Sequence, residues 1–396
     1  MPFLPQEQKT PLGIYIHIPF CRSKCVYCDF HSLTGQSQQT MDQYLKALCA
    51  HIREQGPLTP SYQVDSVFFG GGTPSLFGAD RLAAVLTAIR ESFHVSPGAE
   101  ITVEANPDSI DKKLLKRLKS EGFNRLSIGV QTTDDALLKT IGRPHTYKQA
   151  EEAVRLARWY GFKSISVDLM FGLPGQSMEG WIETLRRVLT LSLEHISCYG
   201  LRVEEKTPLY ELQQHYEMPD DDIQADMYLA AVDLLKSKGY RQYEISNFAK
   251  RKHECKHNIK YWTGGEYLGF GVDASSSFAG KRFKIVKDLK TYMDAIEHRG
   301  VVMVENQEVP ARDRAGEYLM LQLRTSYGIE KQEYERQFLL PFAPLERVMK
   351  GYEDQQLAMK SDGRWLLTPK GYLLSNTIIT DLLLAQEQTI ASLGRR

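Results

Sequence analysis

Apolar, β-branched runs alternate with amphipathic stretches over the first half of the chain, and this alternation limits the folds open to it. The runs are Gly13–Phe20, Val64–Phe69, Glu100–Glu104, Arg125–Gln131, Ser164–Phe171 and Glu194–Leu201. Between them lie stretches with helical spacing at Met41–Glu54, Asp80–Ser92, Asp111–Glu121, Tyr147–Tyr160 and Met178–Leu191. Strand and helix in strict alternation predict a parallel sheet with helices packed outside it. Six such units predict an α/β fold built as a partial (β/α)6 barrel. Most of the apolar residues in these runs belong to its core.

Polar residues gather at the C-terminal ends of the same runs. Cys21 follows the first, Gly70 to Thr73 the second, and Glu104 ends the third. Gln131 ends the fourth, and Asp168 lies in the fifth just before Gly172-Leu173-Pro174. Ligands of parallel β/α proteins bind at that rim, where the loops converge, so five such positions predict one shared site. Glycine allows positive φ and close approach to bare backbone, which would suit a ligand at Gly70-Gly71-Gly72; a tight turn explains the run equally well. Glu104 suits ribose hydroxyls better than it suits a surface position. Arg143, in Gly142-Arg143-Pro144-His145, reads either as a carboxylate holder or as a solvated loop side chain.

The rim position after the first strand carries Cys21, Cys25 and Cys28 at CxxxCxxC spacing. A loop lets three sulfurs converge on one point. Three thiolates leave one iron of a cubic [4Fe-4S] cluster open for a substrate ligand, the arrangement needed to bind the amino and carboxylate groups of S-adenosylmethionine (SAM) and pass it an electron. Two other readings compete. His31 would complete a Cys₃His zinc site, or the cysteines are unrelated core thiols. A disulfide framework belongs to small secreted domains, whereas six cysteines among 396 residues indicate a reducing compartment.

Charge and hydropathy exclude further classes. Lys plus Arg number 49, as do Asp plus Glu, so there is no basic field for sequence-independent nucleic-acid binding. Met1 to Gly13 lacks a charged-then-apolar leader pattern, and no apolar run is long enough to span a bilayer. A cytoplasmic protein is expected, with peripheral membrane contact and homodimer formation left open.

Beyond the sixth run the pattern changes. Asp220-Asp221-Asp222 starts a helix reaching about Lys238, since acidic residues suit helix N-termini, and Tyr243 to Ala249 reads as a strand. Lys250 to Trp262 mixes cations, imidazoles, a thiol and aromatics; it reads either as a solvated basic loop or as a surface for a flat, anionic, metal-containing ligand, with His or Cys ligating iron. Leu268 to Ser277 reads as a Gly/Ser-rich loop, and from about Leu289 the composition is helical. Trp365 to Tyr372 followed by Leu373–Leu384 predicts a strand, a Thr-Pro helix start and a final helix, a small winged-helix-like module. The expected domains are a core barrel over 1–240, a connecting segment over 241–300 and a C-terminal α/β, winged-helix-like domain over 301–396.

Taken together, YIHIPFC at 15–21, the other two cysteines, GGGTPS at 70–75, VEANP at 103–107, RLSIGVQ at 125–131 and SVDLMFGLPGQ at 166–176 resemble the radical SAM superfamily. More narrowly, nearly the whole chain resembles the oxygen-independent coproporphyrinogen III oxidase family and its haem-chaperone branch. The resemblance implies that Cys21, Cys25 and Cys28 ligate a [4Fe-4S] cluster, that Tyr15, Gly71, Gly72, Thr73 and Glu104 line the SAM site, and that Tyr27, Gln131, Arg143 and Asp168 lie at the neighbouring SAM or substrate position. It implies one-electron reduction of SAM to methionine and a 5′-deoxyadenosyl radical. The oxidases carry a fourth cysteine, CxxxCxxCxC, and a longer lead before the cluster. Here Phe30 holds that position, the lead is short, and His257-Asn258-Ile259-Lys260-Tyr261-Trp262 matches the HNxxYW motif of the chaperone branch. The branch implies haem binding and delivery to haem-accepting proteins, respiratory enzymes in particular, with His257 the first choice for a haem contact and Cys255 a weaker one. The competing function is coproporphyrinogen III dehydrogenation, in which two propionates become vinyls.

Overall fold

The structure, a computed structural model, describes residues 9–393. Its centre is a twelve-stranded sheet. Six parallel strands carry the barrel: β1 (Thr10–Ile18), β2 (Tyr62–Gly71), β3 (Val95–Ala105), β4 (Arg125–Gln131), β5 (Ser164–Phe171) and β6 (His195–Gly200). The helices α1 (Gln38–Gln55), α2 (Ala79–Ser92), α3 (Lys112–Ser120), α4 (Tyr147–Trp159) and α5 (Met178–Leu189) alternate with them. Each helix begins where the sequence supplies a cap or a permissive glycine. Ser37, Asp111 and Ser177 accept first-turn amides, Thr146 and Gln149 form a capping box, and α2 starts at Gly78. Such side chains satisfy amides that a helix leaves unpaired at its start.

The strands show period two. Ile14, Ile16, Val67, Phe69, Ile101, Val103, Leu126, Ile128, Ile165, Val167 and Ile196 are buried in one apolar cluster. The positions between them carry Tyr15, Phe68, Glu104, Arg125, Ser127, Asp168, Ser197 and Tyr199, which line internal cavities. Alternation of this kind places successive side chains on opposite faces, so the sheet turns an apolar face to the helices and a polar face inward.

Residues 241–308 extend this sheet at both edges. The run from Tyr243 to Ala249, expected as one strand, is a tight antiparallel pair: β7 (Arg241–Glu244) and β8 (Asn247–Ala249), with β8 also antiparallel to β6. The Gly/Ser-rich segment is not a loop. β9 (Tyr267–Phe270) runs parallel to β1, and β10 (Ser275–Phe278), β11 (Lys281–Ile285) and β12 (Met303–Glu308) follow as an antiparallel meander. The full order is β12-β11-β10-β9-β1-β2-β3-β4-β5-β6-β8-β7. Gly269 shows why the sequence is permissive here: a Cβ would lie 2.3 Å from the Ser275 carbonyl. Strand β12 also departs from the helical composition expected beyond Leu289.

The Lys250–Trp262 stretch contains a helix, α6 (Lys256–Thr263), rather than an extended loop. Its first-turn amides, Lys256 N–H and His257 N–H, donate to the Glu100 carboxylate of β3 at 3.2 Å each. A negative charge at a helix start offsets the positive end of the dipole. Lys260 reaches Asp65 of β2 at 2.9 Å, and Ser66 bonds His257. These ties hold α6 against β2 and β3.

The C-terminal module is α7 (Ala311–Gln322), β13 (Ile329–Glu330), α8 (Lys331–Phe338), α9 (Ala343–Glu353), β14 (Ala358–Ser361), β15 (Arg364–Leu367) and α10 (Ser375–Leu393). The three strands order as β13-β15-β14, the winged-helix-like arrangement expected. Thr368 caps the Thr-Pro turn by accepting from Gly371 N–H at 3.1 Å. Main-chain bonds join the module to the barrel edge: Ser326 N–H to Tyr243 and Ile245 N–H to Arg324, both at 2.9 Å. Among the described residues no helix is long and apolar enough to cross a membrane.

Candidate functional site

The cysteine loop leaves β1 and packs on the end of β2. Gly72 N–H donates to the Ile18 carbonyl and Thr73 N–H to that of Phe20, both at 2.8 Å. A Cβ on Gly72 would come within 2.9 Å of the Phe20 carbonyl and 3.0 Å of Cys21 Sγ. Gly71 has φ +110°, and a Cβ there would meet the His17 ring at 2.6 Å. The glycine run therefore lets two backbones meet beside the thiols. The amides of Gly71, Gly72 and Thr73 are engaged within the protein, since Gly71 N–H donates to Glu104 at 3.2 Å.

Cys21, Cys25 and Cys28 carry free thiols, and all three line one cavity of about 430 Å³. With them the cavity brings together Tyr27, Gly71, Gly72, Thr73, Glu104, Gln131, Arg143 and Asp168. Eleven expected positions from five barrel strands and their loops thus share one rim. Tyr15 lies just below, in a second cavity of about 500 Å³ that shares Glu104, Ser127, Asp168 and Tyr199 with the first. His31 does not belong to the described lining. Its ring stacks on His17, 6.3 Å between centroids, and its carbonyl accepts from His17 Nε2 at 3.1 Å. Among the described residues no three His, Cys, Asp or Glu side chains converge as ligands of a single ion.

Burial governs the electrostatics. The Glu104 carboxyl is raised to about 8, first by burial and then by the charge of Asp168, while the Gly71 amide and Arg125 pull it down. Asp168 is raised for the same leading reason, opposed by Ser197, Arg125 and Ser127. Burial also pushes up the thiols of Cys21 and Cys28, each thiol lying near another cysteine. Charged carboxylates and thiolates are disfavoured without a nearby cation. The rim thus gains from a bound group that carries positive charge. Arg143 is the cation at hand. It is no solvated loop residue: Nη2 donates to Asn106 Oδ1 at 2.7 Å and to the Gly129 carbonyl at 2.6 Å, and Nη1 faces Cys25 Sγ at 3.7 Å. Its Nε is buried without a partner. Free thiols on one cavity, an orphaned guanidinium nitrogen beside them and a cradle that a Cβ would fill are compatible with a thiolate-bound cluster and a small zwitterion.

The second cavity is lined by Asn258, Tyr261 and Trp262 of α6. His257 is fully buried. Its Nδ1 lies 3.1 Å from Ser66 Oγ and its Nε2 2.9 Å from Tyr261 Oη. A haem iron bound there would have to displace one of these partners. Cys255 is also fully buried, with Sγ 3.5 Å from Glu100 Oε1, and so lies away from any open surface.

Several lining residues escaped the reading from sequence: Asn106, Arg125, Ser127, Ser197, Tyr199, Glu244 and Asn247. The signal for most of them was present. Arg125-x-Ser127-x-Gly129 and His195-x-Ser197-x-Tyr199 put non-aliphatic residues at period two inside apolar runs, which marks a lumen-facing strand side.

Comparison with known proteins identifies the family. The model described as Radical SAM superfamily matches residues 15–188, and the HemN C-terminal domain model matches 309–374. Heme chaperone HemW of Bacillus subtilis is 38% identical over 368 residues, covering 92% of this chain and 97% of that one. Heme chaperone HemW of Escherichia coli is 33% identical, covering 95% and 99%. The solved coproporphyrinogen III oxidase (HemN) from Escherichia coli, a radical SAM enzyme, superposes with a TM-score of 0.83 at 26% identity, covering 94% of this chain and 90% of that one. With a curated relative this similar over nearly its entire length, three cysteines on one rim cavity and a winged-helix-like C-terminal module, the chain belongs to the heme chaperone HemW family of the radical SAM superfamily.

Proposed function

We propose that this protein takes up haem and passes it to haem-accepting proteins, respiratory enzymes among them. The observation that carries this reading is the near full-length similarity to curated heme chaperones, up to 38% identical. Phe30 supports it. The side chain that replaces the oxidases' fourth cysteine is 65% exposed at the mouth of the rim cavity.

Cys21, Cys25 and Cys28 would hold the [4Fe-4S] cluster, and Tyr15, Tyr27, Gly71, Gly72, Thr73, Glu104, Gln131, Arg143 and Asp168 the SAM beside it. When bound, the cluster supplies one electron to the SAM sulfonium. The chain's own residues do the rest. Gly71 and Gly72 let the end of β2 press against the thiol loop. Burial and the Asp168 charge raise the Glu104 carboxyl to about 8, and a cationic sulfonium beside it would favour the carboxylate form, which accepts from hydroxyl donors. Ser127 Oγ donates to both Asp168 oxygens at 3.3 Å and orients that carboxyl. For haem, α6 presents Asn258, Tyr261 and Trp262, with His257 in contact with the haem or holding the helix in shape through Ser66 and Tyr261.

The test is direct. Anaerobically reconstituted protein should bind haem stoichiometrically and release it to an apo-acceptor. Given SAM, a reductant and coproporphyrinogen III, it should form no protoporphyrinogen; formation of that product would establish the dehydrogenase reading, which the fold shared with the oxidase keeps in play. His257→Ala should weaken haem uptake, and a titration matching wild type would remove this residue from the haem site.

A further inference from the structure

Arg143 is held in an unusual way for a residue after a glycine turn. Its N–H donates to the Leu138 carbonyl at 2.8 Å, and the neighbouring Ile141 carbonyl accepts from Val26 N–H at 3.3 Å, tying this turn to the cysteine loop. Gly142, at φ +74°, brings the turn so close that a Cβ would lie 3.6 Å from Cys25 Cα. A left-handed backbone at that position favours glycine. Two strong acceptors, Asn106 Oδ1 and the Gly129 carbonyl, share Nη2 and fix the guanidinium plane. Nη1 is then aimed at Cys25 Sγ, 3.7 Å away and 118 residues distant in sequence. Among the described residues Arg143 forms no ion pair with a carboxylate. The carboxylates of Asp108 and Asp168 act on it electrostatically without forming a direct ion pair, and a buried cation favours a negative group in contact with it, here the Cys25 sulfur that Nη1 faces.

We propose that Arg143 sets the reduction potential of the cluster held by Cys21, Cys25 and Cys28, through N–H···S donation to the Cys25 thiolate and a fixed positive charge beside it. The inference rests on the reading that these cysteines hold an iron-sulfur cluster. Reduction adds one electron to the cluster and therefore one negative charge. A guanidinium in a low-dielectric setting favours the reduced form, and hydrogen bonds to the sulfurs act in the same direction. Arginine keeps its proton throughout, so its charge is the same in both oxidation states. Arg143 is thus a positioning residue for the electron, in addition to any contact it makes with SAM.

The experiment is an EPR-monitored redox titration of the anaerobically reconstituted full chain without SAM, so that SAM contacts do not enter. Wild type, Arg143→Lys and Arg143→Gln are compared at equal iron and sulfide content. The expected result is a more negative midpoint potential for Arg143→Gln and an intermediate value for Arg143→Lys, which keeps the charge but loses the fork. If Arg143→Gln fails to assemble, Asn106→Asp is measured instead. With no single arginine variant to read, the new carboxylate, placed where Asn106 Oδ1 lies 2.7 Å from Nη2, should pair with the guanidinium and draw it off the sulfur. The test is then the difference between Asn106→Asp and Asn106→Asp/Arg143→Lys, which should be small if the pairing has already removed the arginine's effect. An unchanged midpoint in the assembled variant overturns the proposal. If wild type itself takes up no iron and sulfide, the cluster reading fails, and the two failures are told apart.

Discussion

Glu244 ends β7, is 1% exposed, and sits where the barrel edge meets the C-terminal module through a bridge to Thr325. Its Oε1 has no hydrogen-bond partner. Burial raises its carboxyl from 4.5 to about 7, while Ser246 N–H and Asn247 pull it down. In the unfolded chain the carboxyl ionises near its ordinary value. Between about 4.5 and about 7 the folded state therefore binds more protons than the unfolded state, and stability falls as pH rises through this window, then levels off. At about 1.36 kcal/mol per pKa unit, the difference makes roughly 3 kcal/mol of destabilisation above the folded value. Glu244→Gln removes the titration and keeps an acceptor for Ser246 N–H. The variant should equal wild type in acid and exceed it by roughly 3 kcal/mol at slightly alkaline pH. Urea unfolding of both proteins at a series of pH values, followed by circular dichroism, reads this difference. An advantage that did not change with pH, or none under alkaline conditions, would refute the argument.

Three further outcomes follow from the packing. Gly72→Ala should cost about 1–3 kcal/mol and reduce iron and sulfide incorporation, because its Cβ collides with the Phe20 carbonyl and Cys21 Sγ; normal cluster content would contradict this. Ser66→Ala leaves His257 Nδ1 buried without its partner and should cost about 1–3 kcal/mol, seen as faster hydrogen exchange in α6. Thr368→Ala removes the cap on Gly371 N–H and should cost about 1 kcal/mol, with the loss confined to the C-terminal module in limited proteolysis.

The composition of the barrel was legible because period two and period 3.6 are local properties. Ile165-x-Val167 against Ser166-x-Asp168 shows a two-faced strand without any knowledge of its neighbours. The cysteine loop was legible for the same reason, since the three thiols lie within eight residues of one another. Lys256–Thr263 was harder to read. This short helix is stabilised by Glu100, Asp65 and Ser66, all from distant strands, and its own sequence carries no side-chain cap. The same holds for β9: a Cβ on Gly13 of β1 would press on Tyr267 of β9 and on Lys260 of α6, and one on Gly269 would strike the Ser275 carbonyl of β10.

Sequence alone therefore determined that polar residues gather at the ends of the parallel strands and that three thiols follow β1. Only the tertiary structure decided that Arg143 points at Cys25, that His257 has both ring nitrogens engaged, and that the α6 motif opens onto a cavity sharing Glu104 and Asp168 with the thiol site. The physical reason is one of range. Periodicity and turn chemistry act over a few residues, whereas the contacts of Arg143 with Cys25 and of His257 with Ser66 join segments more than a hundred residues apart and exist only once the sheet has brought its strands side by side.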